Sequence, residues 1–209
     1  MRKLIILGGG SFARELYHWA KQHPDFDIKW RTVGFLDDNT EALDGMNYPI
    51  PIIGTVHGHK PEPDALYLCA IAKPPVKEEI CRKLQSAGAE FLTLVHPSVI
   101  MGGNVTLGTG TVICPNCVLT CDIQIGDFTM LNCGATIGHD VRIGNFCTIN
   151  GNAELTGCVT LGDRVFVGSH VTTNPGTKVQ NDARLGFGSA VLGHIKSGRS
   201  VIGIPAREI

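Results

Sequence analysis

Aromatic side chains are scarce in this 209-residue chain, at 6%, and neither sign of charge dominates, with 18 Lys+Arg against 19 Asp+Glu. That balance lacks the electrostatic footprint of a nucleic-acid binder or of a protein held to an anionic membrane. Long apolar runs are missing too. Leu4 to Gly8 is too short for a signal-peptide core, and nothing approaches a membrane span. The reading is a cytoplasmic protein whose eight cysteines stay reduced. Cys114-Pro-Asn-Cys117 has no second CxxC to complete a zinc site, so no metal is expected.

Glycine, by contrast, is abundant at 26 residues. Glycine and proline together stay below the roughly 25–30% that marks low-complexity chains. With 43% hydrophobic residues the chain folds. Residues 1–100 hold 8 glycines, 23 charged residues and both tryptophans, whereas 101–209 hold 18 glycines and 14 charged residues. Two differently built halves follow, with domains expected at 1–96 and 97–209.

The first half reads as α/β. Leu4–Leu7, Thr32–Leu36 and Leu66–Ile71 are short apolar runs suited to buried parallel strands, and Phe91–Val95 closes the set. Phe12, Leu16 and Ala20 recur at helical spacing, as do Val76, Ile80 and Leu84. Alternating strands and helices predict a Rossmann-like parallel sheet. Gly8-Gly-Gly10-Ser-Phe-Ala13 fits the G-x-G-x-x-G/A pattern, with Asp37 and Asp38 some 27 residues beyond Gly10. Such glycines bring phosphate oxygens to backbone N–H groups at a helix start, and an acid after the second strand can accept from a ribose or base. About 95 residues supply only one mononucleotide half, so a nucleotide-sized ligand fits better than a dinucleotide. A structural turn beside a solvated acidic loop is the bland alternative.

The second half is a hexapeptide repeat. Every sixth residue from Met101 to Val191 is apolar in fifteen of sixteen cases, the exception being Thr173. The following position is Gly or Asn in eleven. Small or β-branched residues such as Val105, Cys117, Ala135 and Cys147 stand two before the aliphatic. Period six fits neither a helix nor an ordinary meander but suits a triangular parallel β-helix, about five coils of 18 residues. The glycines and asparagines after each aliphatic are expected at corners with φ > 0. All eight cysteines are expected to be packing residues.

On such a prism, His139-Asp140 stands just past a corner. Its stacked neighbours, Cys121 and Gly157, are small, which gives the imidazole room, and the adjacent carboxylate can set its tautomer. The pair reads as catalytic, against the alternative of a solvated corner histidine. His139 and His170 are 31 residues apart, not a whole number of coils, which argues against a three-histidine zinc site.

The chain resembles the bacterial nucleotide-sugar N-acetyltransferases of the bacillosamine and perosamine type, and their sialic acid O-acetyltransferase relatives. The resemblance runs through Leu7–Ala13, Gly34-Phe-Leu-Asp-Asp38, Ile137-Gly-His-Asp-Val-Arg-Ile-Gly144 and Gly203-Ile-Pro-Ala-Arg207. It implies a left-handed β-helix after the α/β domain, with His139, followed by Asp140, as general base on a sugar amine attacking acetyl-CoA. It also implies nucleotide-sugar contacts at Gly10, Ser11, Phe12, Asp37 and Asp38. Acetyl-CoA contacts fall at Thr148, Ser169, Gly186 and Phe187, in a cleft between subunits of a homotrimer. Phe12 and Thr148 stand where many members carry histidine, and Ala70-Ile-Ala-Lys73-Pro-Pro75 replaces a glycine-containing stretch. These departures leave the acceptor open between an amine and a hydroxyl. A non-catalytic sugar-nucleotide-binding protein is the reading from another class.

Overall fold

A computed structural model describes all 209 residues, Met1 to Ile209. Five parallel strands form the first sheet: β1 (Arg2–Leu7), β2 (Trp30–Leu36), β3 (Ile52–Gly54), β4 (Ala65–Cys69) and β5 (Glu90–Phe91), in the order β3-β2-β1-β4-β5. Strand alternation divides its core. Leu4 and Ile6 pack with Leu16 and Ala20 of α1 (Ser11–Ala20), whereas Ile5 and Leu7 pack with Ile80 and Leu84 of α2 (Pro74–Ser86). The helices thus lie on opposite faces, and the order reverses between β1 and β4. At that point an open parallel sheet leaves a crevice for a ligand beyond its strand ends.

Two expectations about this half need revision. The β3 strand is an addition; Pro51 precedes it and it lies at the sheet edge, where apolar patterning is weak. Phe91–Val95 is not one strand. Phe91 ends β5, while β6 (Leu94–Val95) pairs with Val112–Ile113 of the second half. Five residues serve two sheets.

From β6 onward the chain is a left-handed parallel β-helix of two-residue strands. Each strand pairs with the one eighteen residues on, as Val118 and Leu119 do with Thr136 and Ile137. Three faces result. The first carries Val112–Ile113, Met130–Leu131, Thr148–Ile149, Phe166–Val167 and Arg184–Leu185; the second includes Thr136–Ile137; the third includes Arg142–Ile143. The register aliphatics from Ile113 to Val191 are buried, with Thr173 in line, and Cys117, Ala135 and Cys147 fill the small inward positions. Met101, at the start of the register, is 38% exposed because no coil covers it from below. At the other end an antiparallel hairpin, Ser200–Gly203 with Ala206–Glu208, closes the first face.

The corner glycines do not do what was expected. Left-handed φ falls three residues after each aliphatic, at Asn104, Gly110, Asn116, Asp122 and onward every six residues to Gly188. None of the glycines directly after the aliphatics has positive φ. They are glycine because successive coils nearly touch there. A Cβ on Gly138 would stand 2.7 Å from the Gly157 nitrogen, and one on Gly144 would stand 2.6 Å from the Gly162 carbonyl carbon. Close approach, not backbone handedness, selects them.

The first face carries the α/β half. Ala13 and Leu16 of α1 join Val112, Cys114 and Met130 in one cluster. On the other side of the sheet, Cys69, Cys81, Phe128 and Phe146 form another. Lys77 of α2 is buried in this junction and donates to the Cys147 carbonyl at 2.8 Å and to Thr148 Oγ1 at 3.0 Å. Burial pulls its ammonium pKa down to about 8, partly offset by the surrounding thiols.

Candidate active site

His139 and Asp140 occupy the corner between the second and third faces. Asp140 has φ 60°, one of the periodic left-handed positions, and Asp tolerates that conformation better than most residues. The turn brings its carboxylate back to the preceding ring, so that His139 Nδ1 and Asp140 Oδ2 lie 2.8 Å apart. Both side chains are about 60% exposed. The ring lies over Gly157, where a Cβ would meet Nε2 at 2.5 Å. The small stacked neighbour is therefore a requirement of the arrangement. With Nδ1–H donating to the carboxylate, Nε2 holds the free lone pair; this tautomer follows from the hydrogen-bond pattern.

At the α/β crevice, Gly8 has φ +103°, so glycine is needed there, and Gly10 has open space where a side chain would be. Gly10 precedes α1 with no side chain capping the helix, leaving first-turn N–H groups without an intrahelical partner. Ser11 is exposed beside it, and Phe12 is half-buried against Trp19. The two acids have different tasks. Asp37 accepts from Gly9 N at 2.6 Å and from Asn39 N at 2.8 Å, so it braces the glycine turn. Asp38 contacts the His57 ring and accepts from His57 N. Partial burial works against its ionisation, but the His57 hydrogen bonds outweigh it and hold the carboxyl below the usual range. No sequence signal pointed to His57, which follows the unanticipated β3.

The residues expected to meet the cofactor are not brought together. Ser169, Gly186 and Phe187 come together at the corner between the first and second faces, where Gly188 N donates to the Ser169 carbonyl; Phe187 is 64% exposed and meets Phe166 edge-on. Thr148 stands apart, fully buried on the first face. Its hydroxyl donates to the Ala72 carbonyl at 2.7 Å and accepts from Lys77. It ties the two halves together and presents nothing to a ligand in this chain. The largest cavity, about 460 Å³, opens on the third face and is lined by Thr160, Gly162, Lys178, Gln180, Asn181 and Ser197. It starts two residues past Cys158, which is stacked on Asp140.

The cysteines all carry free thiols. Five are buried and two are half-buried, in keeping with packing, but Cys158 is exposed. Its place was legible from the 18-residue coil, since it lies eighteen positions after Asp140.

Comparison with known proteins agrees with this architecture. The PglD N-terminal domain family matches residues 3–84, and the bacterial transferase hexapeptide family (six repeats) matches residues 122–157. The UDP-N-acetylbacillosamine N-acetyltransferase of Bacillus subtilis is 28% identical over 115 residues, 54% of this chain and 51% of that protein. The matched stretch thus spans about half the length of that relative. The acetyltransferase domain of PglB from Neisseria gonorrhoeae superposes with a TM-score of 0.90 at 23% identity, covering 100% of both chains. PerB from Caulobacter crescentus, solved with CoA and GDP-perosamine, gives 0.86 at 22% identity, over 99% of this chain and 97% of that one. At these identities the structural matches establish the fold. No helix is long and apolar enough to cross a membrane.

Proposed function

The chain pairs a PglD N-terminal domain with bacterial transferase hexapeptide repeats, and from that pairing we propose that it transfers acetyl from acetyl-CoA to the amino group of a nucleotide-linked amino sugar. The observation that carries the proposal is the His139–Asp140 pair, an imidazole held by a carboxylate at 2.8 Å with Nε2 turned free. As the neutral amine attacks the thioester carbonyl, Nε2 takes the proton that the nitrogen sheds. The tetrahedral intermediate then expels the CoA thiolate, leaving the amide. Such a base contributes about 10²–10⁴-fold in rate. Asp140 keeps the ring in the accepting tautomer throughout.

The substrate groups follow the same logic. The crevice of Gly10, Ser11 and Phe12, whose glycine turn Asp37 braces, receives the sugar nucleotide, with its phosphates toward the start of α1 and Asp38 as a further contact. Ser169, Gly186 and Phe187 receive acetyl-CoA; PerB was solved holding CoA and GDP-perosamine together. Thr148 is left out of this set because its hydroxyl is committed to Ala72 and Lys77. These groups lie at one corner and on one face of the prism, while His139 lies at another corner. A single chain does not assemble them around one ligand, which supports a homotrimer whose site is built between neighbours.

Two measurements test the reading. Incubation with acetyl-CoA and nucleotide-linked 4-amino sugars should release CoA and yield a product stable to alkaline hydroxylamine. A product cleaved by hydroxylamine would mean an ester and a hydroxyl acceptor; no CoA release with any acceptor would favour a binding protein. Mixing His139→Ala with Asp37→Ala chains should restore part of the activity that each lacks alone. Failure of mixed assemblies to recover would sink the shared site.

A further inference from the structure

The corner that holds His139 carries a third ligand-forming group. One potential ligand atom from each of His139, Asp140 and Cys158 lies within 4.8 Å of the other two, and all three residues are exposed. The β-helix enforces this meeting. Asp140 and Cys158 are both at left-handed corner positions, φ 60° and 63°, in successive coils, so their side chains leave the prism side by side. Gly157 lets the imidazole lie flat between the coils.

A nucleophilic triad is the first alternative, and the geometry argues against it. In a Cys-His-acid relay the thiol and the acid use opposite ring nitrogens and stand roughly 7 Å apart or more. Here the thiol lies within 4.8 Å of the carboxylate, too close for the two to serve opposite ring nitrogens. Three donors converging on one point is instead the geometry of cation binding. Ligand atoms around a tetrahedral zinc are separated by roughly 3.3–3.6 Å, from bond lengths near 2.0–2.3 Å. Rotation about exposed χ angles closes the remaining ångström. An imidazole, a carboxylate and a thiol together favour zinc-class cations over magnesium or calcium. The outward side of the corner is open to water for a fourth ligand, and Asp122, one coil below, adds negative charge.

We propose that His139, Asp140 and Cys158 form a site for a zinc-class divalent cation, and that its occupancy switches the base off. On binding, Cys158 loses its proton to solvent and ligates as thiolate, while the imidazole lone pair goes to the metal. A ring so engaged has no lone pair for the sugar amine. The metal is thus an inhibitor and not a cofactor. The binding claim stands on the cluster alone; the inhibition claim rests on the function proposed above.

The test uses the full-length chain, freed of metal with a chelator. Zinc is titrated against a chromophoric zinc indicator, and cobalt(II) is used to record the thiolate-to-metal absorption band. One zinc per chain is expected. Cys158→Ala should weaken zinc binding at least tenfold and abolish the cobalt band, while Cys133→Ser, at a half-buried thiol elsewhere, leaves both unchanged. Magnesium should not compete. In the acetyl-transfer assay, zinc should suppress turnover of the unaltered protein, Cys158→Ala should resist it, and the chelator should not reduce activity. Zinc affinity unchanged by Cys158→Ala, or no stoichiometric binding, overturns the site. Binding as described with turnover untouched by zinc overturns the switch. Binding as described with no acetyl transfer to any acceptor leaves the site standing and removes the enzyme reading.

Discussion

Two corners of the same prism show how one backbone serves opposite ends. The corner between the third and first faces stacks Phe128, Phe146, Arg164 and Asp182; the corner between the second and third stacks Asn104, Asp122, Asp140 and Cys158. All eight residues have left-handed φ. At the first, two phenyl rings lie parallel, 5.1 Å apart, and both are 2% exposed beneath the α/β half. Left-handed φ costs a non-glycine residue about 1–2 kcal/mol, while burying a phenylalanine returns about 1.5–3. Packing wins there. At the second corner nothing is buried, and the occupants are small polar residues that tolerate the conformation or a thiol. What distinguishes the corners is whether another domain covers them. A covered corner becomes a docking ridge; an open one is free for chemistry.

The sharpest break between the corners is functional. Replacing His139 with alanine should lower kcat by about 10²–10⁴ while leaving thermal stability nearly unchanged, since the ring is exposed. Near-normal turnover in a steady-state CoA-release assay would remove His139 from the mechanism. Phe146→Ala should do the reverse. It should cost about 3–5 kcal/mol in denaturant unfolding by opening a cavity beneath the α/β half, and the alanine keeps the unfavourable φ. A loss under 1 kcal/mol would mean that the ridge does not hold the halves together.

Lys77 sharpens the comparison through pH. Its pKa is about 8 when folded against an ordinary value of 10.5, so the unfolded chain binds more protons between those values. Stability contributed by this group therefore rises as pH goes from about 8 to 10.5, and the penalty for burying the charge is fully present below 8. The stability difference between the natural protein and Lys77→Met should move in favour of the natural protein by roughly 3 kcal/mol over that range. Equal pH profiles would show that the lysine is not buried at the junction. The smallest effect belongs to the stacking glycines common to all corners. Gly144→Ala should cost about 1–3 kcal/mol, because its Cβ meets the Gly162 backbone, which cannot swing aside, as well as the Asp163 carboxylate. A neutral result would show that the coils can separate there at no cost.

Much of this protein is written in local pattern. The six-residue period placed Ile113 to Val191 inward, and the stacking arithmetic put Gly157 under His139. The same arithmetic, carried from Asp140 to Cys158, holds the signal for the exposed thiol that the expectation of eight packing cysteines passed over. Other features left no local trace. Lys77 reads as part of a polar helix face, yet it is buried because α2 lies against Cys147 and Thr148, seventy residues away. His57 meets Asp38 only once β3 has been added to the sheet edge. Thr148 reads as an outward strand residue open to a ligand, until the α/β half covers its face.

The sequence by itself determined the scaffold: a short-range repeat constrains each coil through its neighbours, and period six admits few other solutions. It also determined the His139–Asp140 pair, because adjacent residues at a corner are brought together by the turn that joins them. Only the tertiary structure decided which face was covered, and with it which threonine, lysine and corner were withdrawn from solvent. Those outcomes depend on burial between segments far apart in the chain, where exposure is set by docking and not by local pattern.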